Sequence, residues 1–283
     1  MVGAPLKRYF EESRQYKRGH SLFLFDTDPA KGFFDDINQA DVIFISVPTP
    51  RGADGSAKLD AVESAVGRIA GGKIIVIKST VLPGTTQDFQ KKYPAHKFLF
   101  NPEFLTEAHA WENTIRPDRQ LVGFTARSRD AAGDVLALLP EAQVMAPSPK
   151  FELSATEAEI VKYAANMFLT RKVTFANAIY DVAFHHGADY EKIRQGISSD
   201  PRIGPSHLDV SHQGYRGYGG YCFTKDTDAL IAHCQGLGLE RCVKLLSADR
   251  LYNEEVLREQ GLTQDDVSVH DKEWLQKKLK ANL

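Results

Sequence analysis

Three cysteines in 283 residues are too few and too scattered for a disulfide framework, and they fit a reducing compartment. No apolar run approaches the roughly 18 residues a membrane span needs, and the first residues lack a secretory-signal layout. Charge of one sign is missing as well. With 35 Lys and Arg against 37 Asp and Glu, the formal net charge is -2, which gives no reason to expect nucleic acid or an anionic membrane as partner. The histidines, including the pair His185-His186, lack metal-site spacing with other ligands, so no metal is expected. What remains is an ordinary globular composition, 42% hydrophobic and 25% charged, expected in the cytoplasm. The length suits two domains.

The first half alternates helix-like and strand-like segments. After the amphipathic stretch LKRYFEESRQY comes SLFLFDTDP, read as a strand ending at Asp26. DVIFISVPTP is a second strand, LDAVESAVGRIA a helix, and KIIVIKST, FLFNPEFL, RQLVGFT and AQVMAPS further strands. Short, almost wholly apolar strands separated by helices predict a parallel sheet covered on both faces, a doubly wound α/β domain. Ligands of such sheets bind at the carboxyl ends of the strands. Asp26, Pro48-Thr49-Pro50, Ser79-Thr80 and Asn101-Pro102-Glu103 are expected at those ends, although each is also a common loop or cap former.

A dinucleotide fingerprint needs a strand, then G-x-G-x-x-G, then an acid about 20 residues on. Gly3 fits the last glycine and Asp26 the acid. The strand and first two glycines are missing, which predicts an incomplete pyrophosphate cradle and an unpaired sheet edge.

From about Ser154 the pattern turns helical. TEAEIVKYAANMFLTRKVTFANAIYDVAFHHG has apolar residues at helical spacing, and Ser154 with Glu157 forms a candidate capping box. Lys162 and Asn166 are four apart and share a face. Lys162 reads either as a solvated surface charge or, beside Ile160, Val161 and Ala164, as largely buried.

The run GYGGYCFTKDTD sets Cys222 between a glycine-rich turn and a helix expected to start near Thr224 or Asp226. The positive end of that helix and the nearby Lys225 both favour a thiolate, the nucleophilic form of cysteine. The bland alternative is a small buried hydrophobe. Cys234 and Cys242 have no such setting and read as structural.

In order along the chain, VPTP, KSTVLPGTT, NPEFLTE, EAEIVKYAANMFL, DPRIG and GYGGYCFTKD resemble the UDP-glucose/GDP-mannose dehydrogenases, and the likeness runs from Gly3 to about Asn253. The resemblance implies a Rossmann-like NAD-binding domain over residues 1–150. A helical central domain over 151–283, built on a long dimerising helix, would follow it. The implied reaction is the NAD-dependent four-electron oxidation of a UDP-glucose-like nucleotide sugar to its uronic acid. Cys222 would form a thiohemiacetal and then a thioester that water hydrolyses. By the same resemblance Lys162 and Asn166 would stabilise the oxyanion, and Asp226 would serve the first proton abstraction. Glu103, with Thr80, would position the hydrolytic water.

The family pattern also assigns NAD contacts to Asp26, Lys31, Thr49, Thr80, Glu107 and Lys225, alongside Gly3. Substrate contacts fall to Phe104, Leu105, Glu107, Lys162, Arg202 and Gly219, with Arg202 reaching into the partner subunit's site of a homodimer. Family members continue into a further α/β domain that grips the nucleotide, so weaker nucleotide affinity is expected here. The segment between Arg202 and Cys222 is longer than the family pattern, which leaves the sugar open. A two-electron hydroxyacid or 6-phosphogluconate-type dehydrogenase, which needs no thiol, is one alternative. A non-catalytic nucleotide-sugar binder is the other.

Overall fold

Strand-forming residues set the frame of the first half. A computed structural model describes residues 3–105, 109–142, 153–211 and 214–268, with Leu275 and Lys278. The chain divides into two compact units, Met1–Pro50 with Lys58–Lys162, and Arg51–Ala57 with Tyr163–Leu283.

The first unit holds a five-stranded sheet: β1 (Val42–Ile45), β2 (Ile74–Ile77), β3 (Lys97–Phe100), β4 (Gly123–Phe124) and β5 (Leu153–Ser154), in that order across the sheet. Successive side chains on a strand point to opposite faces, and here both faces are buried. Ile75, Ile77, Phe98 and Phe100 pack on one side with Val62 and Val66 of α2 (Asp60–Val66) and Phe89 of α3 (Thr85–Lys92). Ala155 and Ala158, in the first turns of α6 (Ala155–His185), close that layer. On the other side, Val76 and Leu99 meet Leu6, Tyr9 and Phe10 of α1 (Gly3–Glu12). Trp111 and Ile115 of α4 (Ala110–Ile115) and Val135 of α5 (Ala132–Leu138) complete it. The domain is doubly wound, as the apolar strand runs predict.

Two expectations are corrected. The Leu22–Asp26 segment is no strand of this sheet. Its hydrogen bonds toward the next loop run from Asp26 N–H to Phe33 O at 2.9 Å and from Asp35 N–H to Leu24 O at 2.9 Å, and its bridges are the isolated Arg18–Leu22 and Phe25–Phe34 ones. Nor is the sheet wholly parallel. β1, β2 and β3 are parallel, β4 is antiparallel to β3, and β5 is parallel to β4. The buried Asn101 amide donates to Leu121 O at 2.8 Å, so the chain returns at the edge where β3 ended and must run back beside it. The strand expected at AQVMAPS lies almost wholly outside the described residues.

The second unit is helical. It contains most of α6, then α7 (Tyr190–Ser198), α8 (Gly220–Gly236), α9 (Glu240–Glu259) and α10 (Gln264–Val267). The capping box at the start of α6 forms as expected: Glu157 N–H donates to Ser154 Oγ at 3.2 Å, and Ser154 N–H donates to Glu157 Oε2 at 2.6 Å. Among the described residues no helix is long and apolar enough to cross a membrane.

Candidate active site

Each unit carries a polar cluster. In the first it grows from the carboxyl ends of the parallel strands. Val47 N–H donates to Ser79 Oγ at 3.0 Å, Ser79 Oγ donates to Val47 O at 2.7 Å, and Thr49 Oγ1 donates to Thr80 O at 2.9 Å. These bonds stitch the loop after β1 to the loop after β2.

Beneath them Lys78 is buried at 4% exposure, and its Nζ donates to Asn101 Oδ1 at 2.5 Å. The same ammonium lies 3.4 Å from Glu103 Oε2. Burial pulls the Lys78 pKa down, opposed by the nearby Glu103 carboxylate. Lys162, on α6, is also buried. Its Nζ donates to the main-chain oxygen of Glu103 at 2.5 Å and lies 5.6 Å from the centre of the Phe104 ring. Arg119 stacks on Phe104 at 3.8 Å, and Leu105 is half-buried next to it.

One turn before Lys162, the fully buried Glu159 caps α3 from a distance. Its Oε2 accepts Gly84 N–H at 2.6 Å and its Oε1 accepts Thr86 N–H at 2.8 Å. Burial raises its pKa to about 6 despite those two bonds. Lys78 and Glu159 are absent from the sequence-based site, and Asn101 enters it only as a strand-end residue. A lysine continuing an apolar strand, and a glutamate on the buried stripe of a helix, were the available signals.

The fingerprint residues Gly3 and Asp26 take no part in these hydrogen bonds. Gly3 begins α1, a ten-residue helix, and a Cβ built on it would lie 3.5 Å from Ser46 Cβ, just past β1. Ser46 Oγ is buried and has no hydrogen-bond partner among the described residues. A helix amino terminus and an orphan hydroxyl at a strand's carboxyl end suit a dinucleotide phosphate. Asp26 lies in the loop region, not at a strand end. It accepts Lys31 Nζ at 2.7 Å and Asp28 N–H at 2.9 Å, and chiefly the Lys31 bond holds its carboxyl below the usual range. Glu107 lies outside the described residues.

In the second unit Asp226 is 1% exposed and fully engaged. Lys225 Nζ donates to its Oδ1 at 2.5 Å and Asn166 Nδ2 to its Oδ2 at 2.7 Å. Lys225 therefore gives its charge to Asp226. Cys222 is exposed, but α8 starts at Gly220, not near Thr224 or Asp226, so the thiol sits inside the first turn. Thr224 Oγ1 donates to Gly220 O at 3.0 Å, tying Gly220 into the helix. The positive helix end still acts on Cys222.

Gly219 has a packing reason to be glycine: a Cβ there would lie 2.1 Å from Tyr215 Oη and 2.8 Å from Val267 Cβ. Arg202 is 87% exposed and paired with Asp200 at 2.5 Å. Cys234 is buried, as a structural role requires, whereas Cys242 is exposed. Among the described residues no group of three or more His, Cys, Asp or Glu could hold a metal ion.

Comparison with known proteins gives this arrangement its context. Residues 15–137 match the NAD binding domain of the UDP-glucose/GDP-mannose dehydrogenase family, and residues 156–255 match the family's central domain. A UDP-glucose 6-dehydrogenase of Bacillus subtilis is 36% identical over 232 residues, 78% of this chain and 50% of the relative. One from Rhizobium meliloti is 38% identical over 218 residues, 72% of this chain and 49% of the relative. A UDP-glucose dehydrogenase structure from Pyrobaculum islandicum superposes with a TM-score of 0.69 at 30% identity, covering 89% of this chain and 61% of that one. The chain thus spans about half the length of the sequence relatives it matches. The cofactor that the amino-terminal match indicates is NAD. With both domain types matched in order, the chain belongs to the UDP-glucose/GDP-mannose dehydrogenase family.

Proposed function

We propose that this chain carries the catalytic core of an NAD-dependent dehydrogenase that oxidises a UDP-glucose-like nucleotide sugar to its uronic acid through a covalent intermediate on Cys222. The observation that carries this reading is the exposed thiol in the first turn of the 17-residue α8, four residues before the buried Asp226–Asn166–Lys225 network. NAD, when bound, accepts a hydride in each of two oxidations. Between them the Cys222 thiolate adds to the aldehyde, so that the second hydride leaves a thioester for water to hydrolyse. A two-electron dehydrogenase has no use for such a thiol.

Residues 1–150 hold the cofactor in this reading. The start of α1 at Gly3, Ser46 and the strand-end loops with Thr49 and Thr80 face the phosphates and nicotinamide, and Asp26 with Lys31 takes the ribose hydroxyls. Glu107 and Lys225 join the cofactor contacts on family resemblance alone. In the sugar reaction Lys162 and Asn166 stabilise the oxyanion, Asp226 serves the first proton abstraction, and Glu103 with Thr80 positions the hydrolytic water. Phe104, Leu105, Glu107, Arg202 and Gly219 contact the substrate.

Residues 151–283 form a homodimer along α6. Phe168, Phe175 and Val182, seven apart, are 66%, 51% and 56% exposed, an apolar stripe of the kind a second copy covers. Phe175→Glu should shift the chain to a monomer in sedimentation, and an unchanged mass would remove the dimer from the account. A cytoplasmic location fits both cofactor and substrate.

The test is NADH formed per sugar consumed by the purified chain with UDP-glucose. Two NADH per sugar supports the four-electron reaction, and one supports the two-electron alternative. None, in a folded chain that also fails to bind NAD, supports the non-catalytic one.

A further inference from the structure

A buried lysine without a stated role lies under the strand-end cluster. Lys78 is the first residue after β2, and an ammonium at 4% exposure is costly unless its donors are used. Asn101 Oδ1 takes one of them at 2.5 Å. That amide cannot turn away, because its nitrogen donates to Leu121 O at 2.8 Å and Gln120 Oε1 at 3.1 Å. The Lys78 ammonium is thereby fixed 3.4 Å from Glu103 Oε2. Phe104 N–H donates to the other carboxylate oxygen at 3.1 Å, and Lys162 Nζ donates to the Glu103 carbonyl oxygen at 2.5 Å. Both carboxylate oxygens and the main-chain oxygen of Glu103 have a partner, yet its side chain keeps 22% exposure.

We propose that Lys78 is a positioning residue for Glu103: its fixed ammonium orients the carboxylate that activates the water which hydrolyses the Cys222 thioester. This rests on the dehydrogenase reading above. In that step water oxygen bonds to the thioester carbonyl carbon and its proton passes to Glu103. The carbon–sulfur bond then breaks, the proton reaches the Cys222 thiolate, and the products are a carboxylic acid and a thiol with no change of oxidation state. In this role Lys78 acts through Glu103 alone. The charged groups facing it are Glu103 from the loop after β3 and Lys162 from α6.

Two measurements on the full chain test this. In the first, ¹³C-labelled lysine is titrated by NMR, with the Lys78 signal assigned by Lys78→Met or Lys78→Arg. Removing the carboxylate in Glu103→Gln should lower the Lys78 midpoint by about one pH unit or more, and an unchanged midpoint overturns the pair. In the second, rapid-quench kinetics separate the first NADH burst from steady turnover. Lys78→Met should keep the burst rate and lose steady-state acid formation by about tenfold or more. Equal losses in both phases, or none, overturn the proposal.

Should Lys78→Met fail to fold, Lys78→Met combined with Glu103→Gln removes both charges together. It should hydrolyse at the Glu103→Gln rate, and a further tenfold loss overturns the proposal. A wild-type chain that makes no NADH counts against the dehydrogenase reading, while the titration still decides the pairing.

Discussion

The two polar clusters treat a buried charge in opposite ways. In the helical unit, Asp226 is 1% exposed, its two oxygens held by Lys225 and Asn166 at 2.5 and 2.7 Å. That network is closed, and the exposed Cys222 sits one turn before it on α8. In the sheet unit the buried member is the cation Lys78, and its carboxylate partner, Glu103, stays 22% exposed. A closed pair mainly fixes geometry, because breaking it strands a buried charge. An open pair leaves an oriented group that water can reach. The proposed chemistry divides along the same line, with a rigid frame for the nucleophile and an accessible carboxylate for hydrolysis.

The sharpest way to break that comparison is at the thiol. Cys222→Ser should lower acid formation at least about 10³-fold while leaving α8 intact, measured as uronic acid by mass spectrometry. Unchanged turnover would sink covalent catalysis. Next comes the closed network. Asp226→Ala leaves the Lys225 ammonium buried and unpaired, so unfolding should become easier by about 3 kcal/mol in urea titration. A loss below about 1 kcal/mol would mean that the cluster is open to solvent after all.

Glu159 sharpens the sheet side. Its native pKa, about 6, is above the usual carboxylate value, so the folded chain holds this proton more tightly than the unfolded one. Its contribution is therefore largest below pH 4.5 and declines as pH rises toward and through 6, by about 2 kcal/mol in all. The difference in unfolding free energy between wild type and Glu159→Gln should change by that amount between pH 4 and pH 7. A constant difference would mean that Glu159 titrates normally. The smallest effect is expected at the exposed Asp26–Lys31 pair. Asp26→Ala should weaken NAD binding by about tenfold in calorimetry, and unchanged affinity would mean that the ribose is not held there.

Much of this was readable from the residues because apolar runs have little choice. VIFI, IIVI and KFLF form strands packed on both faces, and Ser154 with Glu157 caps α6. The Leu22–Phe25 run misled because its hydrophobicity does not reveal its partner, a loop ten residues on. The strand ends after β1, β2 and β3 follow from the apolar runs, yet the burial of Lys78 inside KIIVIKST does not. Burial at a strand end depends on what packs above it, here Asn101 and Glu103 from the next strand's loop. Glu159 was hidden likewise. It shares a buried stripe with Ala155, Ala158, Lys162 and Asn166, but its N–H partners, Gly84 just before α3 and Thr86 in its first turn, lie 75 and 73 residues away. α8 starts earlier than its sequence suggests because glycines argue against helix, whereas here the tight approach of Tyr215 and Val267 demands Gly219 just before it.

The central claim is that Cys222 carries the sugar covalently between the second oxidation and hydrolysis. Intact-mass spectrometry of the Glu103→Gln chain, quenched in acid after mixing with NAD and UDP-glucose, tests it most directly. The account predicts an added mass equal to the uronyl form of the nucleotide sugar, mapped to the Cys222 peptide and absent when Cys222→Ser is added. NADH formation with no adduct on Cys222 would contradict it.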